Sequence, residues 1–238
     1  MAPPPLRGPS SRTLLDMEWH YPTYTPEEKA SDGRSSSVAV RRALPLEEVW
    51  PILAGEDRRP LLVLRECLTC TGTDDALLTK NADNEKTMLL SQWFRCVKVA
   101  PDVLEEDHPF HALFEEKDPA HLFVARFDGS GRVDLDGQQS RTELWKVMGT
   151  LLKTEYAKKH EKPLKKLFGL MGDLDNLDDR ISQLEGKLSD ALESEGLGSR
   201  KVKKLKKELT EARAELSDLR EQAVQLAKLP LKEPKKKA

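Results

Sequence analysis

Apolar residues recur at intervals of three and four over the last third of the chain. Leu167, Leu170, Leu174, Leu177, Ile181, Leu184, Leu188 and Ala191 form one row; Val202, Leu205, Leu209, Ala212, Leu216, Leu219, Ala223 and Leu226 form a second. A 3-4 repeat keeps one stripe of a helix turned toward a partner, so each row predicts a helix carrying a coiled-coil seam. Between them Ser194-Glu195-Gly196-Leu197-Gly198-Ser199 supplies helix-ending glycines and predicts a turn. Folding the chain at Gly196–Leu197 sets Leu167 opposite Leu226, Leu174 opposite Leu219, Ile181 opposite Ala212 and Ala191 opposite Val202. The same register brings Asp178 to Arg213, Glu185 to Lys206, Arg180 to Glu215 and Lys187 to Glu208, every pair opposite in sign. A parallel self-pairing would instead set Asp173 near Asp178 and Lys201 near Lys206. The sequence therefore predicts an antiparallel two-helix coiled coil within one chain over residues 164–229, with Pro163 marking its start.

Residues 36–160 read differently. Short apolar runs alternate with amphipathic stretches, the pattern of an α/β domain. Ser37-Val38-Ala39-Val40 predicts a strand. Pro45 opens a short helix with Leu46, Val49, Trp50, Ile52 and Leu53 on its apolar side. Leu61 to Leu64 is too brief for a helix and reads as a buried strand. Thr73-Asp74-Asp75 predicts a helix start, broken near Asn81 to Asn84 and resumed over Glu85 to Trp93. Strands follow at Phe94–Val99 and His121–Phe127, with a helical turn between them at His108–Phe114. Asp128-Gly129-Ser130-Gly131 predicts a tight turn into the strand Arg132–Leu135. A helix from Arg141 to about His160 then presents Leu144, Val147, Met148, Leu151, Leu152 and Tyr156 at helical spacing.

Composition adds the ends. Residues 1–35 hold six prolines among serines and charges, which predicts a disordered N-terminal arm, with Trp19, Tyr21 and Tyr24 as a loose aromatic knot. Residues 230–238 predict a basic disordered tail. With 34% charged residues the whole chain is too polar for one globule, in keeping with a domain plus an exposed hairpin. The net charge of −2 does not point to nucleic acid. No apolar run spans a bilayer, and the N-terminus lacks the apolar stretch of a signal peptide, so the expectation is a cytoplasmic protein with no membrane partner. Three cysteines in 238 residues do not make a disulfide-stapled secreted domain.

The candidate chemistry is Cys67-Leu68-Thr69-Cys70, a C-x-x-C pair delivered to the carboxyl end of the Leu61–Leu64 strand. That end of a strand is where sites form in open α/β sheets, and the spacing in an intracellular chain points to thiol–disulfide chemistry. Two other readings stand beside it. One is a pair of core cysteines without redox function, and the other is half of a zinc site needing two further ligands. Cys96 is the third sulfur, but its offset along a neighbouring strand sets it more than roughly 10 Å from Cys67. His108 and His111 form a minor metal candidate, and Asp128 to Gly137 lacks the closing glutamate of a calcium loop. No cofactor-binding fingerprint occurs, so neither cofactor nor metal is expected.

The element order β-α-β-α-β-α-β-β-α and the position of the pair resemble the thioredoxin fold over residues 36–160. The resemblance implies a mixed sheet flanked by helices on both faces, with Cys67 as attacking and Cys70 as resolving thiol. It places Pro119 where that family keeps a cis-proline beside its active site. Arg65-Glu66 stands where the family carries an aromatic residue, and Thr71-Gly72-Thr73 predicts that the following helix starts three residues past the cysteines. A late helix start, together with Glu66, Asp74 and Asp75, predicts a weakly activated thiol. Two functions follow. Either the pair cycles between dithiol and disulfide while the hairpin positions a protein client, or the domain is a redox-silent scaffold whose hairpin, residues 164–229, docks a partner helix or assembles oligomers.

Overall fold

A computed structural model describes residues 7–24, 41–67, 76–80 and 82–233. The chain divides into two compact units, one formed by residues 17–158 with 230–238 and the other by residues 1–16 with 159–229.

The first unit is a mixed α/β structure on a five-stranded sheet. Its strands are β1 (Trp19–His20), β2 (Leu61–Arg65), β3 (Arg95–Val99), β4 (Leu122–Ala125) and β5 (Val133–Leu135), in the order β1-β3-β2-β4-β5. β3 runs parallel to both β1 and β2, whereas β4 is antiparallel to β2 and to β5. All five residues of β2 are buried, because the middle strand of a sheet covered on both faces has no polar side. On one face Leu61 and Val63 join Val97, Val99, Phe123 and Ala125 in a cluster with Val49, Leu53 and Ala54 of helix α2 (Leu46–Ala54). Alternation turns Leu62, Leu64, Cys96, Leu122 and Val124, all buried, to the other face. Helices α3 (Glu85–Ser91) and α4 (Arg141–Glu155) accompany the sheet, and Trp145 Nε1 of α4 donates to Thr87 Oγ1 of α3 (2.9 Å).

Three expectations are revised here. The segment read as a disordered arm supplies the edge strand: Trp19 and His20 pair with Cys96 and Val97, and the Lys98 ammonium lies 4.6 Å from the Trp19 ring. Judged by its own apolar content the arm has nothing to bury, but the sheet edge offers it backbone partners and an aromatic dock. The strand predicted at Ser37–Val40 lies outside the described residues. The helix predicted to run to His160 ends at Glu155, because Tyr156 takes an extended backbone (φ −99°, ψ 141°) and sends its hydroxyl to the Trp93 carbonyl (2.7 Å). There Tyr156 forms a bridge with Leu231, and Lys232 N donates to Glu155 O (2.8 Å), so the start of the predicted basic tail is strapped to the end of α4.

The second unit is the helical hairpin, α5 (Glu161–Glu195) and α6 (Arg200–Ala227). Pro163 sits in the first turn of α5, where a missing N–H costs no helical bond. Leu177, Leu184 and Ala191 pack with Val202, Leu205, Leu209 and Ala212 along the predicted seam. The reversal uses Gly196 at φ +75°, a left-handed conformation that favours glycine, and Ser199, whose Oγ accepts from Lys201 N (3.1 Å). Arg180 pairs with Glu215 (3.4 Å) as the register requires. Arg213 pairs with Glu185 (2.7 Å) and not with Asp178. Asp178 instead accepts from Ser10 N (2.8 Å) and Ser10 Oγ (2.6 Å) of a four-residue helix, α1 (Pro9–Arg12). Asp175 accepts from Gly8 N (2.8 Å), Arg7 Nη1 (2.7 Å) and Ser11 Oγ, and Arg220 Nη2 donates to Ser10 Oγ (2.8 Å). A Cβ on Gly8 would stand 2.6 Å from Asp178 Oδ2, so the close approach of this segment requires glycine.

Candidate functional site

The β2–β4 ladder positions the predicted pair. Leu61 stands opposite Ala125 and Leu64 opposite Leu122, and the pairing goes on past the strand, since Arg65 N donates to His121 O (2.8 Å). On the other side Glu66 N donates to Val99 O (2.9 Å), which keeps the backbone extended as it leaves β2. Cys67 is half-buried at this point, at the carboxyl end of the middle strand. Cys70, Asp74 and Asp75 lie outside the described residues, so the predicted pairing of Cys67 with Cys70 and the helix start beyond it lie outside them too. The described peptide bonds are all trans, that of Pro119 included, so the cis-proline the family resemblance implied is not reproduced.

A cavity of about 460 Å³ opens beside Pro119, with Arg65 and His121 in its wall and the exposed carboxylates of Glu116, Asp118 and Asp136 at its edge. Arg65 is only 7% exposed. Its Nη2 donates to Pro119 O (3.0 Å), its guanidinium carbon lies 5.9 Å from the Phe114 ring, and its buried Nε has no partner among the described residues. Burial lowers the pKa of this guanidinium. His121 is held below the usual histidine range, first by burial and then by the Arg65 charge, against a smaller opposing effect of Asp136. A neutral imidazole and a desolvated cation thus share the wall next to the cysteine-bearing strand. Sequence reasoning noted Arg65 only as a departure from a family pattern. The signal was its inward parity with Leu61 and Val63, which puts a charge on a core-facing position.

The remaining candidates separate from this site. Cys96 pairs with Leu62, five residues upstream of Cys67, or roughly 16 Å along the strand at ~3.3 Å per residue. It is 3% exposed, its sulfur lies 3.6 Å from the Ser91 carbonyl, and burial pushes its thiol pKa up to about 12. Cys96 is therefore a small core side chain. His108 Nδ1 accepts from Phe110 N (3.0 Å), a local turn bond. Asp128 Oδ1 accepts from Ser130 N (3.0 Å) and Ser130 Oγ (2.7 Å), which closes the turn before β5. Among the described residues no three histidine, cysteine or acidic side chains gather to hold a metal, and no helix is long and apolar enough to cross a membrane. No family model, curated protein or solved structure matches the chain.

Proposed function

We propose that the sheet unit is thioredoxin-like and that Cys67 and Cys70 carry out thiol–disulfide exchange. The observation that carries this reading is that Cys67 follows directly on the carboxyl end of the middle strand of a mixed sheet, where Arg65 Nη2 donates to Pro119 O. In the reducing direction the Cys67 thiolate attacks one sulfur of a client disulfide. A Cys67–client mixed disulfide forms and one client thiolate leaves. The Cys70 thiolate then attacks Cys67 Sγ, the second client thiolate leaves, and Cys67 and Cys70 end as a disulfide. Two electrons have passed to the client, and an external dithiol restores the pair.

The test is timed alkylation of the native chain and of its Cys67→Ser and Cys70→Ser variants, with and without a mild oxidant. Reversible loss of two thiols that requires both residues is the expected result. Thiols that resist alkylation until unfolding, with no disulfide formed, sink the redox reading. The alternative is a partner-binding hairpin on a redox-silent domain, supported by an open groove of about 810 Å³ between α5 and α6 at Gly169, Leu170, Gln222 and Leu226. Cysteines introduced in place of Leu174 and Leu219 would lock the hairpin internally. Partner capture lost on locking would favour this alternative.

A further inference from the structure

We propose that a groove along α2 is a docking site for an extended, proline-rich peptide segment that carries a basic residue. Four-residue spacing places Leu46, Trp50 and Ala54 on one stripe of α2, with Glu47 and Pro51 beside it. Phe127 and Asp128, just past β4, complete the lining of a cavity of about 580 Å³. Its apolar side is left to water: Leu46 is 40% exposed, Pro51 is exposed, and Trp50 and Phe127 are half-buried. The groove is formed in advance of any ligand. The Trp50 indole meets Phe123 of the core edge to face, with centroids 6.1 Å apart. Gly129 lies so close to the same indole that a Cβ there would stand 2.1 Å from Trp50 Cε2. The turn that carries Gly129 is closed by Gly129 N donating to Arg126 O (2.9 Å) and Arg126 N donating to Ser130 O (3.0 Å). Nothing in this site involves Cys67.

Unused polar groups in the same lining define the occupant. The Trp50 indole N–H makes no hydrogen bond among the described residues and is not sealed from solvent. Pro51 has no N–H, so the helical bond to Glu47 O does not form and that carbonyl is left as an acceptor. Glu47 and Asp128 add two exposed carboxylates, neither of them ion-paired among the described residues. The cations beside them are engaged, since Arg126 pairs with Glu155 (2.8 Å) and Arg58 lies over the Phe127 ring (5.6 Å). A docked helix bonds its own carbonyls and has none in mid-helix to offer the indole. An added strand needs an open sheet edge, and β4 is already paired with β2 and β5. A polyproline segment meets both conditions. Its carbonyls have no internal partners and accept from Trp50 Nε1, and its pyrrolidine rings lie flat on Trp50, Phe127 and Pro51. Its stiffness lowers the entropy lost on docking. A non-proline residue within it gives its N–H to Glu47 O, and an arginine meets the Glu47 and Asp128 carboxylates.

The experiment is titration of the full chain with a synthetic Ala-Pro-Pro-Leu-Pro-Pro-Arg peptide. NMR follows the indole N–H signals of the four tryptophans, that of Trp50 being assigned by its loss in Trp50→Phe. Fluorescence polarisation of the labelled peptide gives the affinity of each variant. The expected result is a saturable shift of the Trp50 signal. Trp50→Phe keeps an aromatic ring and removes the donor, and it should weaken binding about 2- to 10-fold. Glu47→Lys changes an exposed side chain and should weaken binding by a similar factor, the difference from the native chain narrowing as salt is raised. The same peptide with every proline replaced by alanine should bind more weakly than the original. The absence of a saturable shift at Trp50 overturns the assignment. So does an affinity that ignores both Trp50→Phe and Glu47→Lys, or an alanine peptide that binds as well as the proline one. Self-association of the chain without peptide, abolished by Glu47→Lys, would make a second copy the occupant and overturn the peptide assignment.

Discussion

The hairpin and the sheet unit are built on opposite plans. The hairpin closes contacts between residues brought together by one reversal of the chain, and its seam repeats a single rule every three or four positions. The sheet unit draws its edge strand from residue 19, its middle strand from residue 61 and its strap from residue 231, so its integrity depends on pieces distant in sequence. Each β2 residue is sealed on both faces, whereas the hairpin buries one stripe per helix and leaves the rest to water. Packing density and its consequences should therefore differ between the two.

The largest expected effect tests that difference. Leu64→Ala removes a fully enclosed side chain from the middle strand and should cost about 2–5 kcal/mol, toward the upper end because nothing can collapse into the gap. Leu184→Ala in the hairpin seam, 7% exposed in the native chain, should fall toward the lower end, since solvent and neighbouring side chains relax around it. Denaturant unfolding of the full chain measures both. Equal losses would show that the seam is packed as densely as the sheet.

Next in size is the N-terminal clasp. Ser10→Ala with Ser11→Ala deletes hydrogen bonds to two carboxylates, and charged acceptors make such bonds worth roughly 1.5–3 kcal/mol each. Hydrogen exchange should report lost protection over residues 8–12 with the α5–α6 seam retained. Acid should do the same. Burial alone would raise the Asp175 pKa, but bonds from Ser11, Arg7 and Gly8 outweigh it and hold the carboxyl below its ordinary range. A depressed carboxyl contributes stability above the unfolded value of about 3.9 and loses it as pH falls through the lower folded value. The clasp should therefore persist at pH 5 and open below about pH 4. Opening that begins near neutrality would assign the transition to some group other than Asp175.

These two regions also explain what could be read in advance. The hairpin was legible because helical periodicity is local: the seam, the Gly196 reversal and the Arg180–Glu215 pair all follow from spacing. Arg213 departed from its predicted partner, and Asp178 is bonded instead to Ser10, a residue nearly 170 positions away that no heptad rule can see. The sheet was legible where a strand announces itself by its own apolar run, as at Leu61–Leu64, and illegible where pairing depends on a surface provided elsewhere, as at Trp19–His20. The place of Cys67 at the end of its strand was legible from the Leu61–Leu64 run that precedes it. The contact of Arg65 with Pro119 O and the burial of Arg65 were not, since both depend on how β2 and β4 pair.

A smaller effect is expected where the sheet unit meets its own C-terminal strap. Tyr156→Phe removes the hydroxyl donated to Trp93 O and should cost about 1 kcal/mol, with the ring still filling its site. The β-bridge to Leu231 rests on backbone and should survive, so exchange at Ala157 N, which donates to Pro230 O, should change little. A loss of protection there equal to that of the α4 terminus would show that the hydroxyl, and not the backbone bridge, holds the strap.

The smallest effect belongs to the pair that moved. Arg213 and Glu185 meet at 2.7 Å, but both side chains remain about half exposed, so solvent and salt weaken their attraction. A double-mutant cycle with Arg213→Ala and Glu185→Ala should return a coupling of about 0.2–1 kcal/mol, falling further as salt is raised. Arg213→Ala with Asp178→Ala should couple less, because Asp178 is engaged by Ser10. Removing Ser10 reverses the order of the argument: with its hydroxyl gone in Ser10→Ala, Asp178 keeps only the backbone donor and becomes the nearer competitor for Arg213 on the register predicted from spacing. Coupling between Arg213 and Asp178 that grows in the Ser10→Ala background would show that the N-terminal clasp sets the ion-pair choice along the hairpin. Coupling unchanged by Ser10→Ala would mean that the helix–helix register alone directs Arg213 to Glu185.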